Sequence, residues 1–158
     1  VALTVGALPM PGDMDEHMIL LEATGYTAGE KSLRIILRND TSGATGRLLG
    51  IPYRFASMGG TGGELTVSAQ DETGARVANR CHTEVGPATA ADYLVLDAGE
   101  GMTRYVPLRC FDLRGKKSVT FQATYHDKGT VSRLPALPWI PVLHRAVTSK
   151  PLTVDVQQ

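Results

Sequence analysis

An excess of charge of either sign is missing from this 158-residue chain, which carries 16 basic and 16 acidic side chains and a formal net charge of zero. A protein that binds nucleic acid through its phosphates needs surplus Lys and Arg, so that class is excluded. Long apolar runs are missing too, because the stretch Met18–Leu21 is far shorter than the ~20 residues that span a bilayer. The composition therefore predicts a neutral, soluble domain that neither binds nucleic acid nor inserts into a membrane.

Cysteine is scarce, and its spacing excludes two kinds of site. Cys81 and Cys110 are the two cysteines, and neither belongs to a Cys-x-x-Cys pair, so a redox motif or a zinc knuckle has no support. A disulfide between them would stabilise the fold by about 3–4 kcal/mol, whereas the alternative is two free buried thiols in a cytosolic protein. The chain opens at Val1, which suggests either processing after export or trimming. Export favours the disulfide and a periplasmic or extracellular location.

Patterns that mark catalytic centres are also missing. The four histidines are dispersed, whereas a hydrolytic metal site needs three convergent ligands. No Gly-x-Ser-x-Gly turn is present for a serine nucleophile. Cys81 and His82 are adjacent in the chain, so on a strand they would point to opposite faces. We therefore predict a protein that is not an enzyme and holds no metal and no cofactor.

What the sequence does contain is period-two alternation of apolar and polar residues, with little helical spacing. Three strands alternate most clearly, and their expected core faces are Leu33, Ile35 and Leu37; Leu65, Val67 and Ala69; and Val119, Phe121, Ala123 and Tyr125. Met18–Ala23 is a short apolar stretch, and further strands are predicted at Arg47–Ile51, Tyr53–Ala56, Ala75–Val77, Tyr93–Leu96, Thr103–Leu108 and Leu152–Val156. Many short strands between turns rich in Gly, Pro and Asp predict an all-β fold, an antiparallel sandwich of seven to nine strands. We expect an extended lead-in over residues 1–15 and one domain over 16–158.

The second half of the chain carries a layout of turns and strands that resembles a known family. Asp92–Leu96 leads into Ala98-Gly99-Glu100, and Phe111-Asp112-Leu113 precedes the strand Ser118–Tyr125. This layout resembles bacterial immunoglobulin-like (Ig-like) domains, and it is similar in particular to the β-rich domain before the catalytic part of deuterolysin-type (aspzincin) metallopeptidases. Ser149–Val154 likewise resembles the closing strand of exported Ig-like modules.

The resemblance implies an Ig-like sandwich without catalytic residues. The peptidases bind zinc through a His-Glu-x-x-His helix, and Glu16-His17 does not have that spacing, nor does any other His in this sequence. The implied relative is therefore the non-catalytic module alone.

Three loops are candidates for contact with a partner. The glycine-dense stretch Gly59–Gly63 could be a flexible binding loop through Gly60 and Gly62, although a simple connection between strands is the plainer interpretation. The segment Leu134–Leu143 holds the single tryptophan and three prolines, and we expect it to be an extended loop. Its candidate binding residues are Leu137, Pro138, Trp139 and Ile140. The segment either plugs one end of the sandwich or is displayed to a partner, for which Trp is well suited. The basic turn Arg114–Lys117 is either a solvated tip or a contact for an acidic partner.

Two functions fit these features. The first is a non-catalytic, exported module that binds another protein through its end loops. The second is a peptidase inhibitor or immunity protein that blocks the active site of an enzyme with the same loops. The expected partner is a protein in both cases, such as a peptidase or a toxin.

Overall fold

The chain folds as an all-β protein in a computed structural model, which describes residues 19–25, 31–39, 49–131, 133–134 and 137–157. The predicted lead-in over residues 1–15 lies outside the described residues. Within them there are thirteen strands, nine of which have four or more residues. The strands are β1 Ile19–Gly25, β2 Lys31–Arg38, β3 Leu49–Pro52, β4 Thr61–Gly62, β5 Leu65–Asp71, β6 His82–Thr83, β7 Tyr93–Leu96, β8 Gly101–Pro107, β9 Ser118–Tyr125, β10 Arg133–Leu134, β11 Leu137–Pro141, β12 Val147–Thr148 and β13 Leu152–Asp155.

The strands form two larger sheets and two small ones. One larger sheet has the order β1-β2-β8, and the other has the order β12-β9-β5-β4-β6, with β13 also paired to β9. The small sheets are the pairs β3-β7 and β10-β11. The named pairs are antiparallel, as the sequence predicts, apart from the short parallel pair β4-β6.

The three alternating strands supply the core, and the predicted faces are confirmed. Leu33, Ile35 and Leu37 on β2 face inward with the alternate residues of β5 and β9, and all of them are buried. Phe121 is fully buried and meets Phe111 edge-to-face, with ring centroids 5.0 Å apart. Period-two alternation fixes the register because a slip of one residue would turn each apolar set to solvent.

A short helix replaces one predicted strand. The sequence suggests a strand over Tyr53–Ala56, but the chain turns after Pro52 into helix α1, Arg54–Ser57. Tyr53 adopts helical angles, and α1 buries Phe55, whose ring meets that of Tyr125 edge-to-face at 5.9 Å. This contact between distant segments overrides the weak local preference for a strand.

Strand β9 defines the two ends of the molecule. It has eight residues, so its ends lie roughly 25 Å apart. The Ser118 end lies beside Lys31, the first residue of β2, and beside the turn that follows β8. The Tyr125 end lies beside α1 and β12.

Candidate functional site

The strongest candidate surface is the Trp139 hairpin, formed by β10 and β11. The sequence predicts an extended loop here, but the backbone pairs Arg133 with Pro141 and so forms a small antiparallel sheet. Proline is compatible with a two-stranded ribbon because each strand is an edge with only one bonded side. The Trp139 side chain is 68% exposed, whereas that of the adjacent Ile140 is 2% exposed. Successive residues of a strand point to opposite faces, so the hairpin is anchored by Ile140 and displays Trp139.

The chain after β11 docks the hairpin on the rest of the protein. Val142 and Leu143 are buried, and Val142 forms a parallel bridge to Gly50 of β3. The Leu143 N–H also donates to the Gly50 carbonyl oxygen at 3.1 Å. Of the other predicted contacts here, Leu137 and Pro138 lie in β11, and their side chains are outside what the structure describes. Trp139 is therefore exposed at the surface, while Ile140, Val142 and Leu143 pack inward.

Polar contacts of His144 join the two chain segments at the base of the Trp139 hairpin. His144, which follows β11, lies with Nδ1 3.2 Å from the carbonyl oxygen of Asp127 and Nε2 2.5 Å from that of Val131. Both partners of the ring are backbone carbonyl oxygens, so each ring nitrogen lies at hydrogen-bond distance from an acceptor. The Asp127 carboxylate also lies close to this ring, with Oδ2 3.6 Å from Nδ1.

Asp127 extends these polar contacts to β7. This residue is 2% exposed, and its carboxylate accepts hydrogen bonds from the Tyr93 hydroxyl at 2.5 Å and the Gly129 N–H at 2.8 Å. Burial and then the bond to Asp127 raise the pKa of Tyr93 far above its ordinary value, so the hydroxyl remains a donor. We call Tyr93, Asp127 and His144 the polar clamp. It fixes the base of the Trp139 hairpin to the strand pair β3-β7.

A buried ionic layer lies at the same end of β9. Glu64 is 3% exposed and forms an ion pair with Arg54 of α1, whose Nε is 2.6 Å from Oε1. Arg104 of β8 is 1% exposed, donates from Nε to the Gly60 carbonyl oxygen at 2.8 Å and lies over the Phe55 ring at 6.0 Å. Burial lowers the pKa of Arg104 to about 10, so the side chain still carries its charge at neutral pH.

Several polar atoms of this layer have no hydrogen-bond partner among the described residues. They are Glu64 Oε2, both terminal nitrogens of Arg104 and the Tyr125 hydroxyl. Leaving such groups unpaired costs stability, so the layer constrains the geometry of this end more than it strengthens the fold. The sequence contained a signal for it, because Arg104 alternates with the apolar Met102 and Val106 on one face of β8.

The glycine-rich segment packs against its neighbours at Gly60 and Gly62, whereas Gly59 and Gly63 are exposed. Gly60 and Gly62 are both buried, and both have positive φ angles of 69° and 132°. A Cβ on Gly60 would lie 2.9 Å from the Cys81 carbonyl oxygen, so the close approach of the neighbouring backbone requires glycine. We therefore leave Gly60 and Gly62 out of the proposed binding surface.

The predicted disulfide is present in the structure. Cys81 and Cys110 are bonded, with their Cα atoms 5.2 Å apart. The bond joins the segment before β6 to the turn after β8.

Comparison with protein-family models, with curated proteins and with solved structures finds no match for this chain. Within the described ranges, no three His, Cys, Asp or Glu side chains come together as a metal site would require. In the same part of the chain, no helix is long and apolar enough to cross a membrane. What the protein does is therefore inferred from the geometry of its own residues.

Proposed function

We propose that this chain is a non-catalytic, exported Ig-like module that binds another protein through the Trp139 hairpin. The carrying observation is the contrast between Trp139, 68% exposed, and the buried Ile140 beside it. Tryptophan is enriched among the residues that dominate binding energy at protein interfaces. A large aromatic side chain held outward by a buried neighbour is suited to insertion into a partner's pocket.

The way the hairpin is held supports this proposal. The polar clamp and the contacts of Val142 and Leu143 fix the hairpin before any partner arrives. A surface that is ordered in advance loses less conformational entropy on binding than a loop that must become ordered. Export is supported by the disulfide between Cys81 and Cys110, since such bonds persist in oxidising compartments.

The test compares two exposed aromatic residues. Trp139→Ala should leave the melting temperature nearly unchanged and weaken partner binding by about 2 kcal/mol or more, which is roughly 30-fold in Kd. Tyr53→Ala is the matched control, because Tyr53 is 58% exposed and lies outside the hairpin. Partners would be captured from the culture fluid of the source with each immobilised variant, and the Kd of each captured partner would then be measured.

Three results are informative. A partner lost with Trp139→Ala and retained with Tyr53→Ala supports the proposal, and if that partner is a peptidase whose activity falls on binding, the module is an inhibitor. Equal capture by both variants would overturn the assignment of the hairpin. Because Trp139 is the single tryptophan, its fluorescence gives an independent check. Emission in the isolated protein should be red-shifted and readily quenched by acrylamide, and blue-shifted, shielded emission would contradict display.

A further inference from the structure

A groove of about 810 Å³ lies at the Ser118 end of β9, the end that does not carry the clamp. We call it the basic groove, because six of the residues that line it are cationic: Lys31, Arg80, Arg109, Arg114, Lys116 and Lys117. The acidic residues of the described lining are Asp112 and Asp155. The groove thus concentrates positive charge on a chain whose formal net charge is zero.

The positive charge persists when the neighbouring acids are counted. Asp71 binds the Lys116 ammonium at 2.7 Å, and Glu72 accepts the backbone N–H of Lys117. Arg109 takes part in a separate interaction, so the five other cations face four described acids, which leaves an excess of one positive charge. Within the groove, Arg80 and Arg114 share the Oδ1 atom of Asp112 at 3.3 and 3.2 Å. One carboxylate cannot neutralise two guanidinium groups, so this wall retains a net positive charge.

The floor of the basic groove is apolar. Leu108 and Phe111 are 6% and 3% exposed, and the half-buried Leu113 and Val156 also line the groove. An apolar floor below a cationic rim fits a chain that alternates apolar and acidic side chains. Arginine suits the rim because its planar guanidinium binds a carboxylate with two parallel hydrogen bonds.

The disulfide fixes the cationic wall. Arg80 and Arg109 are the immediate chain neighbours of Cys81 and Cys110. Backbone bonds add to this tie, since the Arg80 N–H donates to the Cys110 carbonyl oxygen at 2.7 Å and the Asp112 N–H donates to that of Ala78 at 3.3 Å. The covalent link and these bonds hold the cations at a fixed spacing without a ligand, which reduces the ordering cost of binding.

We propose that the basic groove binds an extended acidic segment of a partner protein, with carboxylates on the cationic rim and apolar side chains on the floor. This site is independent of the Trp139 hairpin, because the two lie at opposite ends of the molecule. A single-stranded nucleic acid could match the charge of the rim, but the neutral chain lacks the overall excess of Lys and Arg that phosphate binding favours. An acidic peptide also matches the apolar floor.

The experiment measures fluorescence anisotropy of three labelled probes with the intact, oxidised protein. They are a ten-residue peptide of alternating Glu and Leu, its counterpart of alternating Lys and Leu, and a ten-nucleotide oligothymidine. We expect the Glu peptide to bind at least about tenfold more tightly than either other probe, and its binding to weaken as salt is raised. Equal or tighter binding of the Lys peptide or of oligothymidine would overturn the proposal.

Charge reversal and reduction locate the bound peptide. Lys31 and Lys117 are exposed, so the double variant Lys31→Glu/Lys117→Glu should fold normally and weaken binding of the Glu peptide about tenfold. Lys128→Glu is the control, because Lys128 is also exposed and does not line the groove. Reducing the disulfide should also weaken binding if circular dichroism shows that the fold persists. Unchanged binding in the double variant, or an equal loss with Lys128→Glu, would refute the groove as the site. Neither result depends on Trp139.

Discussion

Removing the charge of Asp127 should loosen the Trp139 hairpin and destabilise the protein. Asp127→Asn keeps the shape of the side chain but leaves a single acceptor oxygen, whereas the Tyr93 hydroxyl and the Gly129 N–H donate to different oxygens of the carboxylate. One charge-assisted bond is therefore lost, and the other becomes a neutral bond. The lost bond costs about 1.5–3 kcal/mol and the weakened one about 1 kcal/mol, since bonds to charged groups contribute about 1.5–3 kcal/mol and neutral ones about 0.5–1.5. The expected total is therefore about 2.5–4 kcal/mol.

The assay is urea unfolding followed by circular dichroism, with an exposed acid as the control. Glu84 lies 3.6 Å from His82, the same distance as in the Asp127–His144 pair, but its side chain is 95% exposed. Glu84→Gln should therefore change the unfolding free energy by less than about 0.5 kcal/mol. If Asp127→Asn costs no more than this control, the clamp is not the base of the hairpin.

A double-mutant cycle and hydrogen exchange assign the effect to the clamp. Combining Asp127→Asn with Tyr93→Phe should cost less than the sum of the single changes, with a coupling of about 1 kcal/mol, because both remove the same bond. Amide exchange in β11 should accelerate in Asp127→Asn, while exchange in β5 stays slow. Additive costs, or equal acceleration in both strands, would show that the loss is global.

Three further predictions concern the core, the ionic layer and the acid limit of stability. Phe121→Ala should cost about 3–5 kcal/mol in denaturant unfolding, because the ring is fully buried against Phe111; a cost below about 1 kcal/mol would contradict the core assignment. Arg104→Met should leave stability unchanged or raise it by about 1–4 kcal/mol, since it removes a buried charge and keeps an apolar stem, and a large loss of stability would contradict this. The hydrogen bond from Lys116 lowers the pKa of Asp71, so its stabilisation is present above the ordinary carboxylate range and is lost as the pH falls through the lowered folded value. Asp71→Asn should therefore destabilise the protein at neutral pH and flatten its acid unfolding curve.

The sequence predicts the elements of this fold that depend on local alternation. The bounds of β7 and β9 agree with the predicted ranges Tyr93–Leu96 and Ser118–Tyr125, because apolar residues at every second position specify a strand and its buried face. Helix α1 was not predicted, because its four residues are held by the packing of Phe55 and not by periodicity. The hairpin strand β11 was also missed, because prolines usually argue against a strand.

The candidate site depends on contacts that no local pattern reveals. The polar clamp unites Tyr93, Asp127 and His144 from well-separated parts of the chain, and each is an ordinary polar residue where it stands in the sequence. The basic groove similarly joins Lys31 to the turn Arg114–Lys117, of which the sequence identified only the turn. Composition located the one tryptophan, but only the burial of Ile140 shows which way the hairpin presents it.

The buried charges at the Tyr125 end have a physical rationale in the display of Trp139. Glu64, Arg54 and Arg104 reduce stability relative to a well-packed apolar layer, since buried ions lose hydration that their partners only partly replace. The hydrogen bonds of these ions, however, require specific distances and angles, so they allow fewer side-chain arrangements than apolar packing does. Asp127 is electrostatically coupled to Arg54 and Tyr93, so the ionic layer and the clamp constrain one another. A module that binds through a displayed side chain gains affinity when the base of that side chain has a single geometry, because less entropy is lost on binding.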